Sequence, residues 1–318
     1  MNTSKLETFY TVKAGKYTYY MVITVTRDYN TNEIITYGLD FGGKLKGCVN
    51  IVVENINYIP SLYKELYTEQ QKQAYQNNKK IAYISWIGYH QECSLGQDLA
   101  KGQGTRHMVR TAMTQVMKRY RWVNAFKLED ASQVECKAGF VVSLFENSIL
   151  VNNKSYYEKY FGAVLLDELS RDQYNKRLSA MVSVDAKQSL TFPYFIEACK
   201  LSNVSIASVI KPIYEYSNSY LGFFKNVQSY CKENNLLFCE FIYPWALEFV
   251  NQYILKNGRY ASDKWLIDGK NVALINAEEW NTEVQQISKI NAEREDLRKL
   301  LPRQSGGHFL GLYADLEL

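Results

Sequence analysis

Two glycines one residue apart, Gly102 and Gly104, stand between an apolar run, KIAYISWIGYH, and the start of an amphipathic segment, GTRHMVRTAMTQVMKRY. The first turn of a helix presents backbone N–H groups and a partial positive charge, and glycine lets an anion approach without a Cβ in the way. The chemistry open to this stretch is phosphate binding, with Lys101, Gln103, Thr105 and Arg106 beside the glycines. A tight turn from strand to helix uses the same two glycines and does no chemistry.

Other chemistries have less to stand on. The six cysteines (Cys48, Cys93, Cys136, Cys199, Cys231, Cys239) show no CxxC spacing, and the three histidines (His90, His107, His308) are not paired at helical spacing, so neither a disulfide scaffold nor a metal site is indicated. Cys93 and Cys136 read as buried fillers rather than nucleophiles. Asp130 and Ser132 end a strand-like run and read as caps of a following helix. A net charge of +4 and a pI near 8.5 are too mild and too evenly spread to argue for nucleic acid as a partner.

The elements that must position the glycine turn follow from periodicity. FYTVKA, YTYYMVITVTRDY, EIITYGLDF and CVNIVVENI, separated by NTNE and FGGK, read as antiparallel strands. SLYKELYTEQQKQAYQNNKK reads as an exposed helix ending at Asn77-Asn78, and Ile81 to His90 as a strand covered on both faces. Met108, Val109, Ala112, Met113, Val116, Met117 and Tyr120 recur at helical spacing, with Arg106, Arg110, Thr114, Lys118 and Arg119 on the other side. WVNAFKLEDAS is the next strand, and a helical segment then leads into NKSYYEKYFGAVL.

In this order of strand, glycine turn, helix, strand, helix and strand, the chain resembles the GNAT superfamily of acetyltransferases over roughly residues 7–170. The matching residues are Gly102, Gln103, Gly104 and Thr105 in the coenzyme-binding loop and Tyr157, Glu158 and Lys159 in YEKYFGA. Leu99 stands where the loop pattern begins with Gln or Arg, and Leu150 where an Asn precedes the Tyr. With SWIGYHQECSL ahead of the glycines, the pattern is also similar to acetyltransferase-like proteins of large cytoplasmic DNA viruses, a lineage that carries no function with it.

The resemblance implies an α+β fold with a mixed, mostly antiparallel sheet flanked by helices. It also implies a central strand with a bulge, and acetyl-CoA held through Lys101, Gly102, Gln103, Gly104, Thr105 and Arg106. Acetyl transfer to an amine needs a base, an oxyanion site and an acid for the departing thiolate. Tyr157 matches the family's acid, although a tyrosine among 26 also serves packing. Glu92 is the preferred base and His90 the alternative, with reference pKa values of about 4.3 and about 6.5; each also reads as a solvated strand end.

The resemblance sets residues 1–169 apart as a GNAT-like acyl-CoA-binding domain and leaves 170–318 as an α+β accessory region with a soft boundary at Leu169-Ser170. There, Tyr220, Phe223, Phe224, Val227 and Cys231 mark one helix face, LLFCEFIY reads as a strand, Pro244 opens a helix, and WLIDGKNVALI reads as a hairpin turned at Asp268-Gly269. A stripe of Trp280, Val284, Ile287, Ile290 and Leu297 in the charged segment from Glu278 to Leu301 reads as a docking face on the chain's own core or, in the minority reading, a helix for a protein partner. The N-terminus lacks a signal-peptide pattern, and no apolar run reaches the about 18 residues a membrane span needs. The expectation is a soluble cytoplasmic protein, in host cytoplasm or virion if viral. Two function classes stay open: an N-acetyltransferase using acetyl-CoA and an unidentified amine, or a catalytically silent fold with a structural or interaction role.

Overall fold

The computed structural model describes residues 3–43, 47–60, 66–89, 91–100, 102–130, 132–136, 139, 141–258, 260–281 and 310–311. His90, Lys101 and most of the charged segment after Asn281 lie outside them. The protein is mixed α+β, with a large, mostly antiparallel sheet flanked by helices. It packs as two compact units, one built from the described residues up to Leu128 and from Leu266 to Asn281, the other from Glu129 to Trp265. The soft boundary at Leu169-Ser170 therefore falls inside the second unit, because the chain leaves the sheet unit at Leu128 and returns to it at Leu266.

In the first unit, strands β1 (Thr3–Ala14), β2 (Tyr17–Asp28), β3 (Ile34–Gly42), β4 (Gly47–Glu54) and β5 (Ile81–Ile87) form an antiparallel meander. Helix α1 (Glu69–Asn78) precedes β5; a capping box between Thr68 and Gln71 starts it, and it buries no side chain. Helix α2 (Gln103–Arg119) follows β5 and packs on β3 and β4. It is buried more widely than a single apolar stripe requires: Thr111 and Thr114 are also covered, each turning its hydroxyl back to the carbonyl one turn earlier. Strand β6 (Ala125–Glu129) then lies parallel to β5.

The predicted hairpin at Asp268-Gly269 is not formed. Strand β10 (Lys264–Asp268) ends in a 3-10 turn, Gly269–Asn271, in which Asp268 Oδ1 accepts the Lys270 N–H and the Gly269 N–H donates to the Asn124 carbonyl. The chain then runs along α2, where the Ile275 N–H donates to Thr114 Oγ1. Glu278 to Asn281, expected to begin an amphipathic helix, instead belong to a strand, β11 (Ala277–Asn281), paired antiparallel with the end of β1. The rest of that stripe lies outside the described residues.

The second unit is mainly helical. Its short strands β7 (Ser132–Glu135) and β8 (Val141–Ser143) pair antiparallel. Helices α3 (Leu144–Asn152) and α4 (Tyr156–Phe161) follow, and then β9 (Val164–Leu165). The core of the later helices is aromatic: Phe195 packs on Tyr214 at 4.5 Å and on Phe249 at 5.0 Å, and Phe223 on Phe224 at 4.8 Å. Tyr220, Phe223, Phe224, Val227 and Cys231 are the buried face of their helix, as the spacing predicts. LLFCEFIY is corrected from strand to helix over Phe238–Ile242. Short apolar runs fit either state, and here Phe238 and Ile242 are buried at i, i+4 spacing.

The cysteines also require correction. Cys48 is bonded to Cys93, and Cys136 to Cys239; the remaining pair, Cys199 and Cys231, are free and buried. Their partners lie 45 and 103 residues apart, separations that no short spacing rule detects. No helix among the described residues is long and apolar enough to cross a membrane.

Candidate functional site

Strand β5 carries one extra residue opposite β4: Ile84 faces Ile51 and Trp86 faces Asn50, so Ser85 is the bulge. Its hydroxyl donates to the Asn50 side-chain carbonyl. On its other edge β5 pairs with β6 at only three positions, Ile81 with Ala125, Ala82 with Phe126 and Tyr83 with Lys127. The β5–β6 pairing ends at Tyr83. The bulge and the end of that pairing both lie on the strand that leads into the glycine turn.

That turn is pinned to the β1–β2 hairpin. The Leu95 N–H donates to the Thr18 carbonyl at 2.6 Å, Gln97 Nε2 to the Lys16 carbonyl at 2.8 Å, and the Ala100 N–H to the Tyr17 hydroxyl at 3.4 Å, while the Tyr89 hydroxyl donates to the Leu99 carbonyl at 2.8 Å. Gly102 caps α2 with φ +65° and ψ −76°, a conformation that side chains other than glycine rarely adopt, and the space where its Cβ would sit is open. Gly104 is different. A Cβ there would meet Leu99 Cδ1 at 3.0 Å and the Tyr17 hydroxyl at 3.2 Å, so this glycine admits the chain's own side chains.

The first turn of α2 has no side-chain cap and no acidic residue, so nothing local offsets its positive end. Two of its amides are already engaged, Gly104 with the Ala100 carbonyl and Arg106 with the Gly102 carbonyl. Thr105 is buried, and its hydroxyl has no hydrogen-bond partner among the described residues. One turn on, His107 Nδ1 is 2.9 Å from the Tyr19 hydroxyl and its ring lies 5.4 Å from that of Tyr17; burial and the Arg110 charge hold the imidazole below its ordinary pKa. The sequence signal for this group was available in the YTY of β2 and was missed, because alternate strand residues reach one face. Glu92 is exposed in the 3-10 turn Gln91–Cys93, whereas His90 and Lys101 are outside the described residues.

Tyr157 belongs to the second unit, where it is fully buried on α4. Its hydroxyl has no hydrogen-bond partner among the described residues, and burial together with the nearby Asp130 raises its pKa well above the ordinary phenol value. Asp130 and Ser132 do not cap a helix. Ser132 opens β7 and donates its hydroxyl to Asp130 Oδ1 at 2.6 Å, while the Ser132 and Tyr157 backbone N–H groups also face this carboxyl. Burial, with a smaller push from Glu146, raises the Asp130 pKa to about 7, and its Oδ2 is unpartnered. On α3, Asn147 is fully buried with both amide atoms unpartnered. α3 ends at the left-handed Asn153, and α4 restarts with Ser155 as its N-cap.

Among the described residues, no group of three or more His, Cys, Asp or Glu side chains is placed to hold a metal. No family model, no curated protein and no solved structure matches the chain. Its function has to be argued from these residues.

Proposed function

We propose that the protein is an acyl-CoA-dependent N-acetyltransferase, GNAT-like over residues 1–169, moving an acetyl group from acetyl-CoA to an amine. The observation that supports this most is the uncapped start of α2 after a bulged strand, β5, whose pairing with β6 ends at Tyr83. The positive end of α2 at Gly102, Gln103 and Thr105 suits a pyrophosphate. The Thr105 hydroxyl supplies a further donor. The amine nitrogen attacks the thioester carbonyl, the C–S bond breaks, the thiolate takes a proton from an acid, and the amine's proton goes to a base. Glu92 is the candidate base of the first unit by its position after β5, whereas Tyr157, the acid that the resemblance implies, belongs to the second unit.

A silent fold with a structural or interaction role is favoured by one observation. Leu99 and Tyr17 occupy the space beside Gly104, and the Gly104 amide is already engaged with the Ala100 carbonyl. Calorimetry with CoA and acetyl-CoA separates the two readings. Saturable binding of both supports the enzyme; no binding at millimolar ligand puts the silent fold first.

A further inference from the structure

The first unit holds a groove of about 860 Å³ that the acetyltransferase reading does not use. It lies where β5 and β6 begin, at Ile81 and Ala125, whereas the glycine turn follows the other end of β5. Its apolar lining is formed by Ile81, Met117, Ala125, Leu266, Val272 and Leu274. Leu274 is 69% exposed, an apolar surface left for water to cover.

The polar lining carries two lysines against one carboxylate, a net charge of +1. Asn77, Asn124, Asp268, Lys80 and Lys270 form it. Asp268 is engaged in the Lys270 N–H turn bond, and the Asn124 backbone is engaged with both Gly269 and Lys80. Neither Lys80 nor Lys270 has an ion-pair partner among the described residues. The wall is tightly built: a Cβ on Gly269 would lie 2.6 Å from the Asn124 carbonyl and 3.1 Å from Met117 Sδ. The volume falls in the range of small-molecule sites.

We infer that this groove binds an amphiphilic carboxylate, with an aliphatic chain against Met117 and Leu274 and the carboxylate between the Lys80 and Lys270 ammonium groups. Two unpaired cations beside exposed apolar surface favour a ligand that satisfies both, and disfavour an amine of the same length. The inference does not depend on coenzyme binding at the glycine turn.

The test titrates the full-length protein with octanoate, octanol and octylammonium, reading affinity by calorimetry and position by the methyl NMR signal of Met117, assigned through Met117→Leu. Octanoate is expected to bind best and to shift that signal, with octylammonium weakest. Lys80→Met with Lys270→Met is expected to weaken octanoate by about tenfold while leaving octanol unchanged, the scale for losing partly exposed charge contacts. The inference is overturned if octylammonium equals octanoate, if the Met117 signal does not move at millimolar octanoate, or if the double variant retains the preference for octanoate over octanol. Should that variant melt early, the ranking of the three ligands on the native protein decides.

Discussion

The glycine turn and the Asp130–Tyr157 cluster differ in how their polar groups are satisfied. At the turn, Tyr17, Tyr89, Gln97 and the Tyr19–His107 pair are tied to backbone or to one another, and Thr105 is the exception. In the second unit, Asp130 Oδ2, the Tyr157 hydroxyl and both amide atoms of Asn147 are buried without hydrogen-bond partners among the described residues. The turn is ordered by hydrogen bonds, while the cluster is held by packing around polar atoms that are costly to bury. Resemblance directs attention to the turn; the energetic anomaly lies mainly elsewhere.

The largest expected effect concerns the disulfides, one in each unit. Loop-closure entropy assigns about 4 kcal/mol to a closed loop the size of that joining Cys48 and Cys93, and about 5 kcal/mol to that joining Cys136 and Cys239. Urea unfolding of Cys48→Ala with Cys93→Ala, and of Cys136→Ala with Cys239→Ala, should each lose stability on that scale. If the units melt separately, each pair should shift only its own unit's transition. Equal shifts of both transitions would show that the units unfold as one and would weaken the comparison.

Next is Asp130. Its folded pKa of about 7 stands above an unfolded value of about 3.9. Between these values the unfolded state releases a proton that the folded state retains, so stability falls as pH rises from about 4 to about 7 and levels off above, by roughly 4 kcal/mol in all. Asp130→Asn removes this slope. Unfolding of both proteins at acid and mildly alkaline pH should therefore show the variant gaining relative to native as pH rises; a difference independent of pH would mean that the native carboxylate is ionised and compensated.

Much of this fold was legible. β1 to β4, the exposed helix over residues 69–78, α2 and the buried face of the helix Tyr220–Glu233 follow from period and turn residues, which act locally. What escaped depends on distant partners: the Cys48–Cys93 bond, the pairing of β11 with β1, and the docking of Gly269 on Asn124. Asp130 was misread because Asp and Ser at a strand end suit a cap equally well, and only burial distinguishes a cap from a raised carboxyl. The two glycines were visible, but their different surroundings were not, since Leu99 and Tyr17 reach Gly104 alone.

A smaller effect tests the exception at the turn. Thr105→Val keeps the shape and removes a buried hydroxyl with no partner, so the free protein should melt at the same temperature or higher. CoA affinity should fall by about tenfold if that hydroxyl meets a phosphate, as expected for one hydrogen bond to a charged group. Unchanged affinity would remove Thr105 from the coenzyme contacts.

The smallest effect is expected at Tyr157, where the comparison is sharpest. Its hydroxyl has no partner to leave behind, so Tyr157→Phe should hold or slightly raise the melting temperature. A lower one would reveal a structural hydrogen bond. As a candidate acid, Tyr157 is in a contradictory position: burial and Asp130 keep its proton on, but a phenol whose pKa is raised gives a proton less readily to a thiolate. The loss of turnover should therefore fall near the low end for a general acid, about tenfold, with CoA affinity unchanged. Coenzyme release followed across a panel of amines would measure it. Unchanged turnover would return Tyr157 to packing, and a loss that shrinks as pH rises through about 7 would tie the proton to Asp130.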